Sequence, residues 1–202
     1  MIRKITTLFF VLTMVLSFGL KAQYAVGDEI MPINLLNIDD EMFSTENAED
    51  VDGFIIVFTC NHCPYAVMYE DRLNELDAKY AEKGYPVLAI NPNDAEAYPS
   101  DDYAAMKVRS EEKGFTFPYL HDETQVVAKT FGASRTPHTY VVQKNDDGKF
   151  IVKYIGAIDD DPRGGEPDTK YVEDAVDALI KGKKVKTDNT KAIGCSIKWK
   201  KA

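Results

Sequence analysis

The sequence predicts an α/β domain in which a mixed central β-sheet carries helices on both faces. Apolar, β-rich runs alternate three times with stretches of helical periodicity, and this alternation implies parallel strands joined by right-handed crossovers. Two further runs flank a hairpin-like turn before a last helix, which adds antiparallel strands. The chain has 202 residues, of which 45% are hydrophobic. That size is sufficient for one domain with a substantial core.

Residues 1–22 are predicted to be a signal peptide. Arg3 and Lys4 give a positive start, residues 5–20 are mostly apolar, and Ala22 is a small residue suited to cleavage. An apolar run of 16 residues is short for a membrane span, which needs about 20 residues. An uncleaved anchor is the alternative. We therefore expect an exported protein, periplasmic or extracellular, that is not embedded in a membrane after cleavage.

The predicted domain covers residues 23–186, and its first strong strand is residues 54–58. Because that run is continuously apolar, it suits a strand buried on both faces. Pro64 then fits the first turn of a helix that ends at Gly84. The remaining predicted elements are strands at 33–36, 86–90, 117–120, 138–142 and 150–155, and helices from Ser100 to Gly114, over 123–131 and over 168–180.

Residues 187–202 are predicted to form a Lys-rich tail that packs on the domain through the segment from Cys195 to Trp199. Trp199, the only tryptophan, is the expected packing anchor. The lysines are interpreted as solvated.

The charge balance excludes one class of partner. The formal net charge is −9, and residues 23–202 carry 21 basic against 33 acidic side chains, a net of −12. A nucleic-acid-binding protein would show a basic face. We therefore expect no nucleic acid as a partner.

Three cysteines, an odd number, suggest two thiols that do chemistry and a third to be explained. Cys60 and Cys63 form a C-x-x-C pair between the predicted strand and helix. A helix N-terminus favours negative charge, so we expect a lowered pKa for the Cys60 thiol and a reactive thiolate. Cys63 is then placed to resolve a mixed disulfide on Cys60. Structural zinc is disfavoured because no second C-x-x-C supplies further ligands.

Strand, C-x-x-C, helix and a Thr136-Pro137 step before a later strand together resemble the thioredoxin superfamily. Three further motifs resemble the redoxin branch of that superfamily, including a peroxiredoxin-like group. They are Val26-Gly27-Asp28, the Cys-Asn-His-Cys-Pro-Tyr box and the ending Gly194-Cys195-Ser196-Ile197-Lys198-Trp199. The resemblance covers roughly residues 24–199. It implies a thioredoxin-like fold and a cis bond before Pro137, with Thr136 and Pro137 presenting backbone to a substrate. An ordinary trans proline is the alternative.

Two departures from the family pattern bear on the activity. Thr59 stands where thioredoxins usually carry Trp. Thr59 also lies four residues before Cys63 and directly before Cys60, so the peroxiredoxin motif is not reproduced. The sequence therefore favours thiol–disulfide exchange over a dedicated peroxidase.

His62, between the cysteines, resembles the same position in protein disulfide isomerases, which implies that it stabilises a thiolate and makes the disulfide more oxidising. The alternative is an exposed histidine with little effect. Arg135 could add positive potential to the site or be simply solvated. Cys195 could be a resolving thiol, a partner for another protein, or a buried inert side chain.

The function that we expect is exported thiol–disulfide oxidoreductase activity, in which Cys60 and Cys63 act on protein thiols or disulfides. No organic cofactor and no metal are expected. Three alternatives remain open: a copper-binding module using Cys60, Cys63 and His138, a peroxiredoxin-like thiol peroxidase, and a fold that only binds a partner.

Overall fold

The computed structural model describes residues 23–163 and 165–201, so the predicted signal peptide lies outside the described residues. Seven strands form one mixed sheet in the order β2-β1-β5-β4-β3-β7-β8. They are β1 (Asn34–Asn37), β2 (Met42–Ser44), β3 (Gly53–Phe58), β4 (Val87–Asn91), β5 (Tyr119–His121), β7 (His138–Lys144) and β8 (Phe150–Gly156). A separate two-stranded sheet joins β6 (Arg135–Thr136) to β9 (Cys195–Ser196).

Strand β3 lies inside the sheet and every one of its residues is buried. It pairs in parallel with β4 and antiparallel with β7. Its side chains alternate between two cores, as the two-residue period of a strand requires. Ile55 and Val57 belong to one core, and Phe54, Ile56 and Phe58 belong to the other.

In the described residues five α-helices cover the sheet, and both faces carry helices as predicted. They are α1 (Pro64–Met68), α2 (Glu70–Tyr80), α3 (Tyr103–Lys113), α4 (Val126–Phe131) and α5 (Tyr171–Ile180). Leu73 of α2 and Val176 of α5 pack in the core of Ile55, whereas Phe131 of α4 packs in the core of Phe54. The predicted mixed sheet with helices on both faces is confirmed, and the fold is thioredoxin-like.

Two helix boundaries differ from the prediction. The helix predicted to start at Ser100 starts at Tyr103 instead, because the Asp102 carboxylate caps it by accepting a hydrogen bond from the Ala105 amide at 2.7 Å. Pro99–Asp101 form a separate 3₁₀ turn. The helix after Pro64 is divided at Tyr69 into α1 and α2. No helix within the described part of the chain is long and apolar enough to span a membrane.

Candidate redox site

The three cysteines come together at the end of β3. Cys60 follows the last residues of that strand, and Cys63 is the N-terminal cap residue of α1, with Pro64 in its first turn. Cys195 reaches them from the C-terminal strand β9. Cys60, Cys63 and Ala66 form a small buried cluster against which Cys195 packs.

The disulfide in this structure is not the predicted one. Cys63 is bonded to Cys195, with 6.0 Å between their Cα atoms and a separation of 132 positions in the chain. Cys60 is a free thiol. The sequence placed Cys60 and Cys63 close together along the chain, but only the folded structure brings residue 195 to the same place. Among the interpretations left open for Cys195, an inert buried thiol is therefore wrong.

The predicted lowering of the Cys60 pKa is also wrong in direction. Cys60 is 2% exposed, and it precedes the first residue of α1 by four positions, so it does not lie in the first turn of the helix. Burial, assisted by the negative charge of Asp101, raises the pKa of the Cys60 thiol. The Thr136 hydroxyl lies 3.4 Å from the Cys60 sulfur and opposes this shift by hydrogen bonding.

His62 is paired with a buried carboxylate that the sequence did not reveal. Its Nδ1 forms a short hydrogen bond with Oδ2 of Asp101, whose side chain is fully buried. Asp101 also accepts hydrogen bonds from the Asn61 amide at 2.7 Å and from the Asn93 side chain at 2.8 Å. The ring of Tyr98 stacks on His62 with 5.0 Å between centroids. His62 is therefore held in one orientation beside the cysteines.

The loop that carries Thr136 and Pro137 lies against the cysteines, and the peptide bond between them is cis, as the sequence predicted. The Cys63 sulfur lies 3.1 Å from the Thr136 carbonyl oxygen. Backbone pairing aligns Thr136 with Cys195 and Arg135 with Ser196. The chain's own C-terminal strand thus pairs with Thr136, one of the two residues predicted to present backbone to a substrate.

The C-terminal segment is attached at both ends. Before the disulfide, the Thr190 amide donates to the Ile155 carbonyl at 2.9 Å. After it, Ile197 is 3% exposed, and the Lys198 amide donates to the Asn93 side chain at 2.9 Å. Ile197, not Trp199, is the packing anchor, because Trp199 is 40% exposed. We call residues 191–196, between these attachments, the C-terminal strap.

The predicted copper ligands do not form a common site. His138 is buried, and its Nδ1 accepts a hydrogen bond from the Ser134 amide at 3.3 Å. Burial lowers its pKa to about 4. In the described residues, the groups that share one location are instead a Cys60 sulfur, a His62 nitrogen and an Asp101 oxygen, all within 4.8 Å of one another. Arg135 is exposed on β6.

The comparisons with known proteins agree with this fold. Residues 26–151 match the AhpC/TSA family. The thiol-disulfide oxidoreductase ResA of Bacillus anthracis is 29% identical over 97 residues, which are 48% of this chain and 49% of the relative. The match therefore spans about half the length of the curated relatives.

Two solved structures resemble the chain over most of its length. An uncharacterized conserved protein from Geobacillus kaustophilus has a TM-score of 0.81 and 38% identity, covering 89% of this chain and 95% of that one. A hypothetical protein from Sinorhizobium meliloti 1021 has a TM-score of 0.80 and 32% identity, covering 89% and 97%. A putative thiol:disulfide interchange protein DsbE from Chlorobium tepidum shares the fold alone. It is 17% identical, with a TM-score of 0.52, and the match covers 63% of this chain and 82% of that one. Because the AhpC/TSA match covers residues 26–151, more than half of the chain, the chain belongs to the AhpC/TSA family.

Proposed function

We propose that this protein is an exported thiol–disulfide oxidoreductase that acts on protein thiols or disulfides. The observation that carries the proposal is a disulfide, Cys63–Cys195, with a third, free thiol in the same buried cluster. Disulfides exchange by attack of a thiolate on a sulfur, so this arrangement supplies both reactants. This chain matches about half the length of three curated relatives, and each of them is named a thiol-disulfide oxidoreductase.

The proposed internal step connects this disulfide with the pair predicted from the sequence. The Cys60 thiolate attacks the Cys63 sulfur, a Cys60–Cys63 bond forms, the Cys63–Cys195 bond breaks, and Cys195 leaves as a thiolate. No net oxidation occurs, because one disulfide replaces another. Cys60–Cys63 is thus proposed as the second disulfide state of the site.

The proton on Cys60 controls this step. Because burial and Asp101 raise the pKa of the Cys60 thiol, it is protonated in the resting protein. The His62–Asp101 pair lies within 4.8 Å of the sulfur and is suited to accept that proton through the imidazole. The Thr136 hydroxyl then stabilises the thiolate by a hydrogen bond. His62 and Thr136 are therefore the proposed tuning and positioning groups of the exchange.

The export part of the proposal rests on the leader-like residues 1–22 of the sequence. Stable disulfides are typical of oxidising compartments outside the cytosol. Fractionation of cells expressing the tagged chain tests this part, and recovery of the uncleaved protein in the cytosol would contradict it.

The redox activity is tested by catalysed reduction of insulin disulfides with dithiothreitol. We expect the wild-type protein to accelerate the reaction and Cys63→Ser to abolish the acceleration, because Cys63 is common to both disulfide states. Ser196→Ala is the control, since Ser196 is an exposed neighbour on β9. Disulfide mapping should find Cys60–Cys63 in Cys195→Ser and Cys63–Cys195 in Cys60→Ser. No acceleration by the wild-type protein, or full activity of Cys63→Ser, would overturn the proposal.

A further inference from the structure

The three cysteines differ in how closely another protein can approach them. Cys60 is 2% exposed and Cys63 is fully buried. Cys195 is partly exposed, between an exposed Ile193 and an exposed Ser196. A thiolate must reach its target sulfur directly for exchange. An external partner can therefore approach Cys195 more readily than the other two sulfurs.

The backbone edge beside the cysteines is already occupied. Strand β9 pairs with β6 through Cys195 and Thr136. The contact is close at Gly194, where an added Cβ would lie 2.3 Å from the Thr136 carbonyl oxygen. An incoming peptide cannot pair with Thr136 while this segment is in place. The resting protein thus covers the approach to Cys60 with its own strap.

The strap can move away from Thr136 while both of its ends stay attached to the domain. Its ends are attached by the Thr190 amide and by the buried Ile197 with Lys198, whereas the residues between them are held mainly by the two-residue ladder and the disulfide. Cutting the disulfide therefore frees Cys195 locally and keeps it near Cys63. Such tethering gives the return reaction a high effective concentration.

From these observations, and resting on the proposed oxidoreductase activity, we propose that Cys195 is the residue at which protein dithiols exchange with this site. A partner thiolate attacks the Cys195 sulfur, a mixed disulfide forms, and Cys63 leaves as a thiolate. The partner's second thiolate then attacks the partner sulfur of the mixed disulfide and releases Cys195. The partner is oxidised to a disulfide, and Cys63 and Cys195 are reduced by the same two electrons.

The test uses glutathione as a monothiol probe on the oxidised Cys60→Ser protein, in which internal exchange with Cys60 is blocked. After a short reaction and an acid quench, free thiols are alkylated and tryptic peptides are mapped by mass. We expect glutathione on Cys195 and the alkylating label on Cys63. Glutathione on Cys63 with Cys195 labelled would overturn the inference. Insulin reduction by the wild-type protein would persist in that case, so the proposed function would survive.

A second pair of variants tests the role of the strap. Gly194→Ala should push the strap away from Thr136, because the new Cβ meets the Thr136 carbonyl. Since the strap covers the approach to Cys60, the rate at which iodoacetamide alkylates Cys60 in the oxidised protein should increase several-fold. Val108→Ala is the control, since Val108 is 55% exposed on α3, outside the strap, and it should react at the wild-type rate. Circular dichroism verifies that both variants are folded. Equal rates for Gly194→Ala and the wild type would contradict a strap that limits access.

Discussion

At the scale of single residues, the acidity of the free thiol depends on burial and not on position in the chain. Cys60 lies just before a helix, a place that favours a thiolate when the sulfur reaches the helix N-terminus. In the fold its sulfur is buried beside Asp101, and both effects raise its pKa. The sequence offered no signal for Asp101, because an aspartate near Pro99 is typical of an exposed turn. Its burial depends on Asn61, His62 and Asn93, which two separate segments of the chain supply.

Asp101→Asn should lower the pKa of the Cys60 thiol, because it removes a negative charge that disfavours the thiolate. In the oxidised protein Cys60 is the single free thiol, so the pH dependence of its alkylation by iodoacetamide, followed by peptide mass, reports its ionisation. At any pH on the titration curve, the variant should hold more thiolate than the wild type. Asp102→Asn is the matched control, because Asn also caps a helix and Asp102 is the neighbouring acid. An unchanged or higher pKa in Asp101→Asn would contradict this account.

At the scale of elements, an ion pair with a buried carboxylate joins two of the helices that follow the cysteines. Glu70, the first residue of α2, is 3% exposed. Arg109 of α3 donates two hydrogen bonds to it, each of 2.7 Å. Lys113 lies 3.5 Å from the same carboxylate. This contact joins α3 to the start of α2, directly after the short helix that carries Cys63 as its cap.

Arg109→Met should lower the free energy of unfolding by about 2 kcal/mol, because it removes two hydrogen bonds from the buried Glu70 carboxylate and leaves Lys113 as its remaining cationic partner. Denaturant unfolding, monitored by circular dichroism, measures the loss. The double variant Glu70→Gln with Arg109→Met should recover part of it, since no buried charge remains unpaired. A loss of less than about 1 kcal/mol in the single variant would place this pair among weak surface ion pairs.

At the scale of the whole molecule, charge is divided unevenly. The body is acidic, yet eight lysines and one aspartate are the charged residues that follow Ile180. The sequence suggested a solvated tail for these residues. In the fold the same segment delivers Cys195 to the redox site, with exposed Lys191 and Lys200 on either side of it in the chain. The segment that carries the proposed exchange point is thus more basic than the rest of the chain.

This distribution predicts a charge preference among small thiols. Glutathione, which is anionic, should react with the Cys63–Cys195 disulfide faster per thiolate than cysteamine, which is cationic, and the ratio should fall as salt screens the lysines. Stopped-flow measurements at low and high ionic strength give the ratio of the glutathione rate to the cysteamine rate. Lys191→Gln combined with Lys200→Gln should reduce the ratio. A ratio that does not change with salt would contradict the electrostatic explanation.

The sequence by itself determined the local features of this protein. The alternation of strands and helices could be predicted because its signals are local in the sequence. These signals are the fully apolar run of β3, the proline at the start of α1 and the glycines after α3 and α4. The cis bond before Pro137 was expected from the resemblance to the thioredoxin superfamily, and proline is the residue that tolerates such a bond. Only the tertiary structure decided which cysteines bond, that Cys60 is buried, and that Asp101 holds His62. These features join segments up to 132 residues apart, and no local pattern encodes which of several distant side chains will share one buried site.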